Sequence, residues 1–367
     1  MSADFSLTYS MEEIISNSAP VIEVPLPVLT RLLSPPRPYP DGEAIRSAAQ
    51  SFWSAPDARR LLPDPTAHDA YQAQRAHEFT LWCYPDLLKE RLPLVVAMNE
   101  FAYAADFVFD NTDAGEAMML AETGGQLAGD GIAAYVEVFA GLVRQAETLL
   151  SPRQHERLLA ATAAAFACLG THRDAGLTQQ SSQEIHRRHL DAGGTWVAGL
   201  VIEMAVGVDM SDHFANESLL KEFYRAGYSA CLLVNDVFSL RKEYHWDGGL
   251  SNTIPALARE RGISLGEAVT AVAQWALAEE QRCYDLRDRI LSTPQGSDPG
   301  VRAFIAAVED FMAGDLFWHR LSPRYHGKGF QYDGTTGGTM VLHPDRTLYR
   351  PAGPAAPTAK ERSVDPR

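Results

Sequence analysis

Cysteine is scarce in this sequence: four in 367 residues, at Cys83, Cys168, Cys231 and Cys283, with no CxxC pair. That excludes a disulfide framework and a ribbon-type zinc site, and each thiol sits in an apolar, helix-like stretch where a buried free thiol is expected. Positive charge is also short. Lys and Arg number 32 against 47 Asp and Glu, for a formal net charge of −15. A nucleic-acid binder needs the opposite balance, because phosphate neutralisation calls for surplus cations. The acidic excess suits a protein that gathers divalent cations, and equally one kept soluble by its charge. No apolar run reaches the roughly 18 residues of a membrane span. The first residues, MSADFSLTYSMEEII, show no basic region followed by an apolar one, so no secretory signal is read and a cytoplasmic location is expected. A repeat of fixed period is missing too, which excludes a solenoid.

What is present is helical periodicity. From about residue 43 to 320, apolar residues recur at three- and four-residue intervals, as in DAYQAQRAHEFTLWCYP, LPLVVAMNEFAYAADFVFD and GIAAYVEVFAGLVRQAETLL. The segments 93–109 and 196–208 are apolar nearly all round, which marks central rather than surface helices. The expected fold is all-α, a single domain over residues 43–327 whose buried helices line a cavity. Residues 1–42 are proline-rich (VIEVPLPVLTRLLSPPRPYP) and predict an extended arm laid over the body. Residues 328–367, rich in Gly, Pro and Thr, predict a flexible tail.

On a helix, Asn235, Ser239 and Glu243 stand at i, i+4 and i+8 and share a face. An amide oxygen, a hydroxyl and a carboxylate then form a row of hard oxygen donors, the kind Mg²⁺ prefers. The residues just before, Ala230 to Val234, are wholly apolar, so the polar row emerges from a buried helix. A helix half carrying solvated polar residues gives the same pattern. A second acidic group, Asp106, Asp110 and Asp113, follows i, i+4, i+7 after the apolar helix from Leu92. Three carboxylates on one face repel one another without a cation, although a helix C-terminus with solvated acids fits as well.

The string NDVFSLRKE at 235–243 resembles the NSE motif of class I terpene synthases. The resemblance covers roughly residues 80–327 in four motifs in the expected order. It implies a class I terpenoid synthase α-helical bundle around a central cavity, with three magnesium ions held by Asn235, Ser239 and Glu243 on one side and by Asp110 and Asp113 on the other. Phe-Val-Phe-Asp at 107–110 matches the run-in to the family's aspartate-rich motif, but Asn111 replaces the second aspartate and Asp113 comes one position early. Arg188, 47 residues before Asn235, resembles the family's pyrophosphate-sensing arginine, and Asp191 and Ala192 fit its linker and effector positions. Arg324-Tyr325, 89 residues after Asn235, resembles the terminal RY pair, with Trp318 six residues earlier. Diphosphate contacts are thereby implied for Arg188, Lys242, Arg324 and Tyr325.

An aromatic lining is implied for Phe107, Tyr103, Trp82 and Trp318, since ring faces stabilise moving positive charge. For the first three, plain core packing is a competing reading. The implied reaction ionises a linear prenyl diphosphate, best farnesyl diphosphate, and cyclises the cation to a sesquiterpene; a homodimer is common in such folds. Three other readings of the residues compete. A prenyl diphosphate synthase would carry a second aspartate-rich motif where NDVFS stands. A non-catalytic helical isoprenoid-binding protein would account for the altered first motif. His186 and His189, at i and i+3, could ligate a metal, but no third ligand accompanies them.

Overall fold

The computed structural model describes residues 21–111, 130–169, 180–192, 194–216, 218–247 and 251–351. Helices dominate: α1 (Gly42–Ser54), α2 (Pro56–Arg59), α3 (Pro65–Gln72), α4 (His77–Cys83), α5 (Leu92–Asn111), α6 (Asp130–Glu147), α7 (Pro152–Leu169), α8 (Ser182–Ala192), α9 (Thr195–Val206), α10 (Ser211–Asn216), α11 (Ser218–Asp247), α12 (Thr253–Arg261), α13 (Leu265–Leu291), α14 (Pro299–Leu321) and α15 (Pro323–His326). Three strands, β1 (Ile22–Leu26), β2 (Gly338–Leu342) and β3 (Thr347–Pro351), form one antiparallel sheet in that order.

Helix starts are written locally. Ser264 and Glu267 close a capping box at the head of α13, and Asp298 caps α14 just before Pro299. The two longest helices, α11 and α13, pack along each other, and α14 lies against α4, α9 and α11. At Gly314 the α14 backbone comes so close to the Trp82 carbonyl that no Cβ fits between them, which brings the last turns of α14 into the centre of the bundle. There Trp318 and Tyr325 are among the largest fully buried side chains. The all-apolar reading of 196–208 corresponds to α9, in which eight of twelve residues are buried.

The proline-rich arm is tied down by one carboxylate. Glu280 of α13 accepts from the backbone N–H groups of Arg31 (2.9 Å), Leu32 and Leu33 (both 3.2 Å), and from the Thr30 hydroxyl. β1 lies on α13 and takes the sheet edge, where Pro25, with no N–H to give, is tolerated. The tail differs from its sequence expectation. Residues 338–351 are paired strands, with Val24 opposite Met340 and Met340 opposite Tyr349. Each strand is five residues long, too short for an alternation to stand out from Gly- and Thr-rich surroundings, and the partner β1 is remote in sequence. Residues 352–367 lie outside the described residues, as do 1–20.

Candidate functional site

α11 carries Asn235, Ser239 and Glu243 on successive turns, as their spacing predicts. The Ser239 hydroxyl donates to Glu243 Oε2 at 2.9 Å. Asn252, fully buried at the head of α12, donates its amide to the same oxygen at 2.9 Å and to the Asp236 carbonyl at 2.8 Å. Its own Oδ1 caps α12 by accepting from Ile254 N at 2.8 Å. Lys242 Nζ lies 3.3 Å from Glu243 Oε1. Thr253 donates to the Asp236 carboxylate, and burial, with the Glu243 charge nearby, pushes that carboxyl well above the ordinary range.

Asn235 is held from α14 and α15. Its Nδ2 lies 2.9 Å from His319 Nε2 and donates to the Tyr325 hydroxyl at 3.1 Å. His319 Nδ1 in turn lies 2.7 Å from the Asp315 backbone carbonyl. The Asp315 carboxyl is 3.4 Å from the same nitrogen, yet this is no ion pair: burial lowers the His319 pKa to about 3, leaving the ring neutral at pH 7, and pushes the Asp315 carboxyl above its ordinary range. The His319 ring stacks on that of Tyr325 with centroids 4.6 Å apart.

Arg324 is almost wholly buried and reaches Asp106 of α5, with a second bond to Gln74 Oε1 at 3.0 Å. The loop between α3 and α4 clasps this corner. Ser322 donates to the Gln74 carbonyl (3.1 Å) and Arg75 to the Leu321 carbonyl (3.1 Å). Arg75 is the one non-glycine residue at positive φ (55°) among the described residues, so local strain marks the place where the loop grips Arg324. From the far side, Arg241 of α11 donates to the Tyr325 carbonyl (2.9 Å) and to that of Pro344 (2.8 Å). Trp318 packs on Tyr103 (centroids 4.9 Å), Phe79 (5.2 Å) and Tyr325 (5.5 Å), and the Arg324 guanidinium sits 5.8 Å over Tyr103.

The sequence candidates thus fall into two sets. Asn235, Ser239, Lys242, Glu243, Trp318, Tyr103, Arg324 and Tyr325 are brought together from α5, α11, α14 and α15, linked through Tyr325 and Arg324. Phe107 packs instead on Tyr71, with centroids 5.8 Å apart, and Trp82 packs on Phe317. Arg188 lies half-buried on α8, which packs against α11 and α12. Asp191 is paired with Arg225 at 2.7 Å and lies 3.9 Å from Arg187. His186 is a buried core residue whose Nε2 lies 2.7 Å from the Ser229 hydroxyl while its Nδ1 is buried without a hydrogen bond, and among the described residues no metal-holding cluster joins it to His189. Asp110 is the penultimate residue of α5, but its side chain and that of Ala192, and Asp113 with its neighbours, lie outside the described residues.

Among the described residues no cluster of three or more His, Cys, Asp or Glu is present. The α11 row does not need one, because two of its three donors are an amide and a hydroxyl. Its donor set fits a hard divalent cation: three oxygen types on one helix face, with one carboxylate for charge. Sequence reasoning did not find His319, Asn252 or Gln74. Asn252 alone left a trace, as a helix-capping residue three before Pro255.

Comparison with known proteins agrees with this geometry. Residues 108–282 match the family described as terpene synthase family 2, C-terminal metal binding. The chain is 30% identical to a (3S,6E)-nerolidol synthase of Selaginella moellendorffii over 162 residues, covering 42% of this chain and 43% of that protein. It is 22% identical over 352 residues to microbial terpene synthase-like protein 1 of the same organism, covering 82% of this chain and 98% of the relative. The matched stretches span about half the length of the first two curated relatives, 43% and 53%. Among solved structures, germacradien-4-ol synthase from Streptomyces citricolor superposes with a TM-score of 0.64 at 17% identity, over 80% of this chain and 97% of that one. Wild-type cucumene synthase gives 0.62 at 15% identity, over 78% and 98%. At these identities the structural likeness establishes the class I terpene synthase α-helical fold.

Proposed function

We propose that this chain, whose residues 108–282 match the terpene synthase family 2 C-terminal metal-binding family, is a terpene synthase that ionises farnesyl diphosphate and cyclises the resulting cation to a sesquiterpene hydrocarbon or alcohol. One observation carries the reading. The candidate ligand Asn235 and the candidate diphosphate donor Tyr325, 90 positions apart, are joined by a 3.1 Å hydrogen bond. The row that suits a cation therefore adjoins the groups that suit a phosphate.

Asn235 Oδ1, Ser239 Oγ and the Glu243 carboxylate would hold magnesium on the α11 side, with Asp110 and Asp113 proposed for the other side. Bound magnesium supplies Lewis-acid neutralisation of the diphosphate leaving group. Arg324 offers a planar fork of N–H donors, which suits bidentate contact with phosphate oxygens. The Tyr325 hydroxyl accepts from Asn235 and keeps its own proton to donate. Lys242 and Arg188 are proposed as further cationic contacts. Trp318, Tyr103 and Phe79 present an edge-and-face aromatic cluster beside Arg324, apt for a migrating positive charge. A cytoplasmic setting is supported by the buried free thiols of Cys83, Cys231 and Cys283. Among the described residues no helix is long and apolar enough to cross a membrane.

The test is incubation with farnesyl diphosphate and Mg²⁺ followed by analysis of the volatile products. A cyclic C15 hydrocarbon or alcohol with release of diphosphate is expected. Chain elongation when isopentenyl diphosphate is supplied, or binding without turnover of any prenyl diphosphate, would overturn the reading.

A further inference from the structure

An asparagine amide has two ends of nearly equal size and opposite use to a cation. The oxygen can coordinate it; the NH₂ group repels it. Asn235 therefore serves as a ligand only if its amide is held one way round. Tyr325 cannot enforce this, because a hydroxyl both donates and accepts and would satisfy either end. His319 can. Its Nδ1 faces two oxygens of Asp315, the backbone carbonyl at 2.7 Å and the carboxyl Oδ2 at 3.4 Å. A carbonyl only accepts, so Nδ1 bears the proton and Nε2 of the neutral ring presents a lone pair. The Asn235 atom 2.9 Å from that lone pair has to be the N–H donor. Both amide hydrogens are then engaged, one by His319 and one by Tyr325, and Oδ1 is left for the α11 row. Turning the amide over would set oxygen against the Nε2 lone pair and leave a donor unmatched, at the cost of an unmade buried hydrogen bond.

We propose that His319 is the positioning residue that fixes which end of Asn235 faces the cation, acting through the proton that the Asp315 carbonyl holds on its Nδ1. The inference rests on the proposed cation-binding role of the α11 row. It adds a residue that touches neither cation nor substrate, on a helix separate from the one that bears the row.

The experiment measures Mn²⁺ affinity by calorimetry in the presence of inorganic diphosphate, with no turnover required. His319→Phe keeps a flat ring against Tyr325 and removes the acceptor; affinity should fall about three- to tenfold, the range expected for loss of one oriented hydrogen bond. His319→Gln restores an acceptor and should recover affinity to within about twofold. In an Asn235→Asp background both ends of the side chain are oxygen. There His319→Phe should leave affinity unchanged or tighten it, since it removes a lone pair facing the carboxylate. Equal weakening in both backgrounds would mean that His319 only packs, and would overturn the proposal, as would unchanged affinity in the Asn235 background. If the Phe variant does not fold, Gln against Met, of like length with and without the acceptor, carries the same contrast. A wild-type protein that binds Mn²⁺ and diphosphate but yields no terpene would overturn the proposed function and leave this inference standing. One that binds no cation would overturn both.

Discussion

Asn252 uses every polar atom of one buried amide: Oδ1 caps α12 while Nδ2 reaches Glu243 and the Asp236 carbonyl. The two uses can be separated. Serine is also a good helix cap but is too short to reach Glu243. Asn252→Ser should thus leave thermal stability within about 1 kcal/mol of wild type while raising the Mg²⁺ concentration needed for half-maximal turnover several-fold. A variant that unfolds early with an unchanged magnesium requirement would show that capping is the residue's whole role. This is also where the sequence stopped being legible. Asn235, Ser239 and Glu243 share one helix, so their spacing alone predicts their common face. His319, Asn252 and Gln74 matter through partners on other helices, and nothing in their local sequence states which partner each will meet.

Elements bring in protonation. His326 closes α15, with Nε2 2.8 Å from the His319 carbonyl and Nδ1 3.2 Å from the Tyr349 hydroxyl of β3. Burial pushes its pKa down to about 3 from an ordinary 6.5. Between those values the unfolded chain binds a proton that the folded chain refuses, so stability is present above pH 6.5 and is lost as pH falls. The loss is about 1.4 kcal/mol per pH unit for this group. His326→Gln removes that slope: from pH 7 to pH 5 the wild type should lose about 2 kcal/mol more than the variant, read from urea midpoints at the two pH values. Parallel losses would show that His326 titrates normally. Because other buried histidines and the buried carboxyls contribute alike to both proteins, the difference isolates this ring. In sequence the helices were legible because each spans many turns of one period. β2 and β3 were not, because five residues carry too little periodicity and their pairing is decided by β1 at the other end of the chain.

For the whole molecule, the proposed site joins α5, α11 and α15 through side chains, Asp106 with Arg324 and Asn235 with Tyr325. A bound cation and diphosphate would add contacts to all three helices at once, and a ligand bound only to the folded state stabilises it by mass action. At about a hundred times the dissociation constant the gain is about 2.7 kcal/mol. Mg²⁺ and inorganic diphosphate together should raise the melting temperature by a few degrees, and Asn235→Ala should abolish most of that rise in a calorimetric scan. An equal rise in the variant would place the ligand elsewhere.

The sheet has one more consequence, and it concerns time. β1 pairs residue for residue with β2, Ile22 with Leu342 through Leu26 with Gly338, so a ribosome makes the first strand more than 300 residues before its partner. At ordinary rates of synthesis that interval is about 15–60 s. Throughout it Val24 and Leu26 have no strand to pair with, and Arg241, whose guanidinium bonds to both Tyr325 and Pro344, lacks its Pro344 acceptor. The backing of the α11 row is therefore completed late in translation, and a nascent chain halted before residue 338 would carry the row without the sheet beside it.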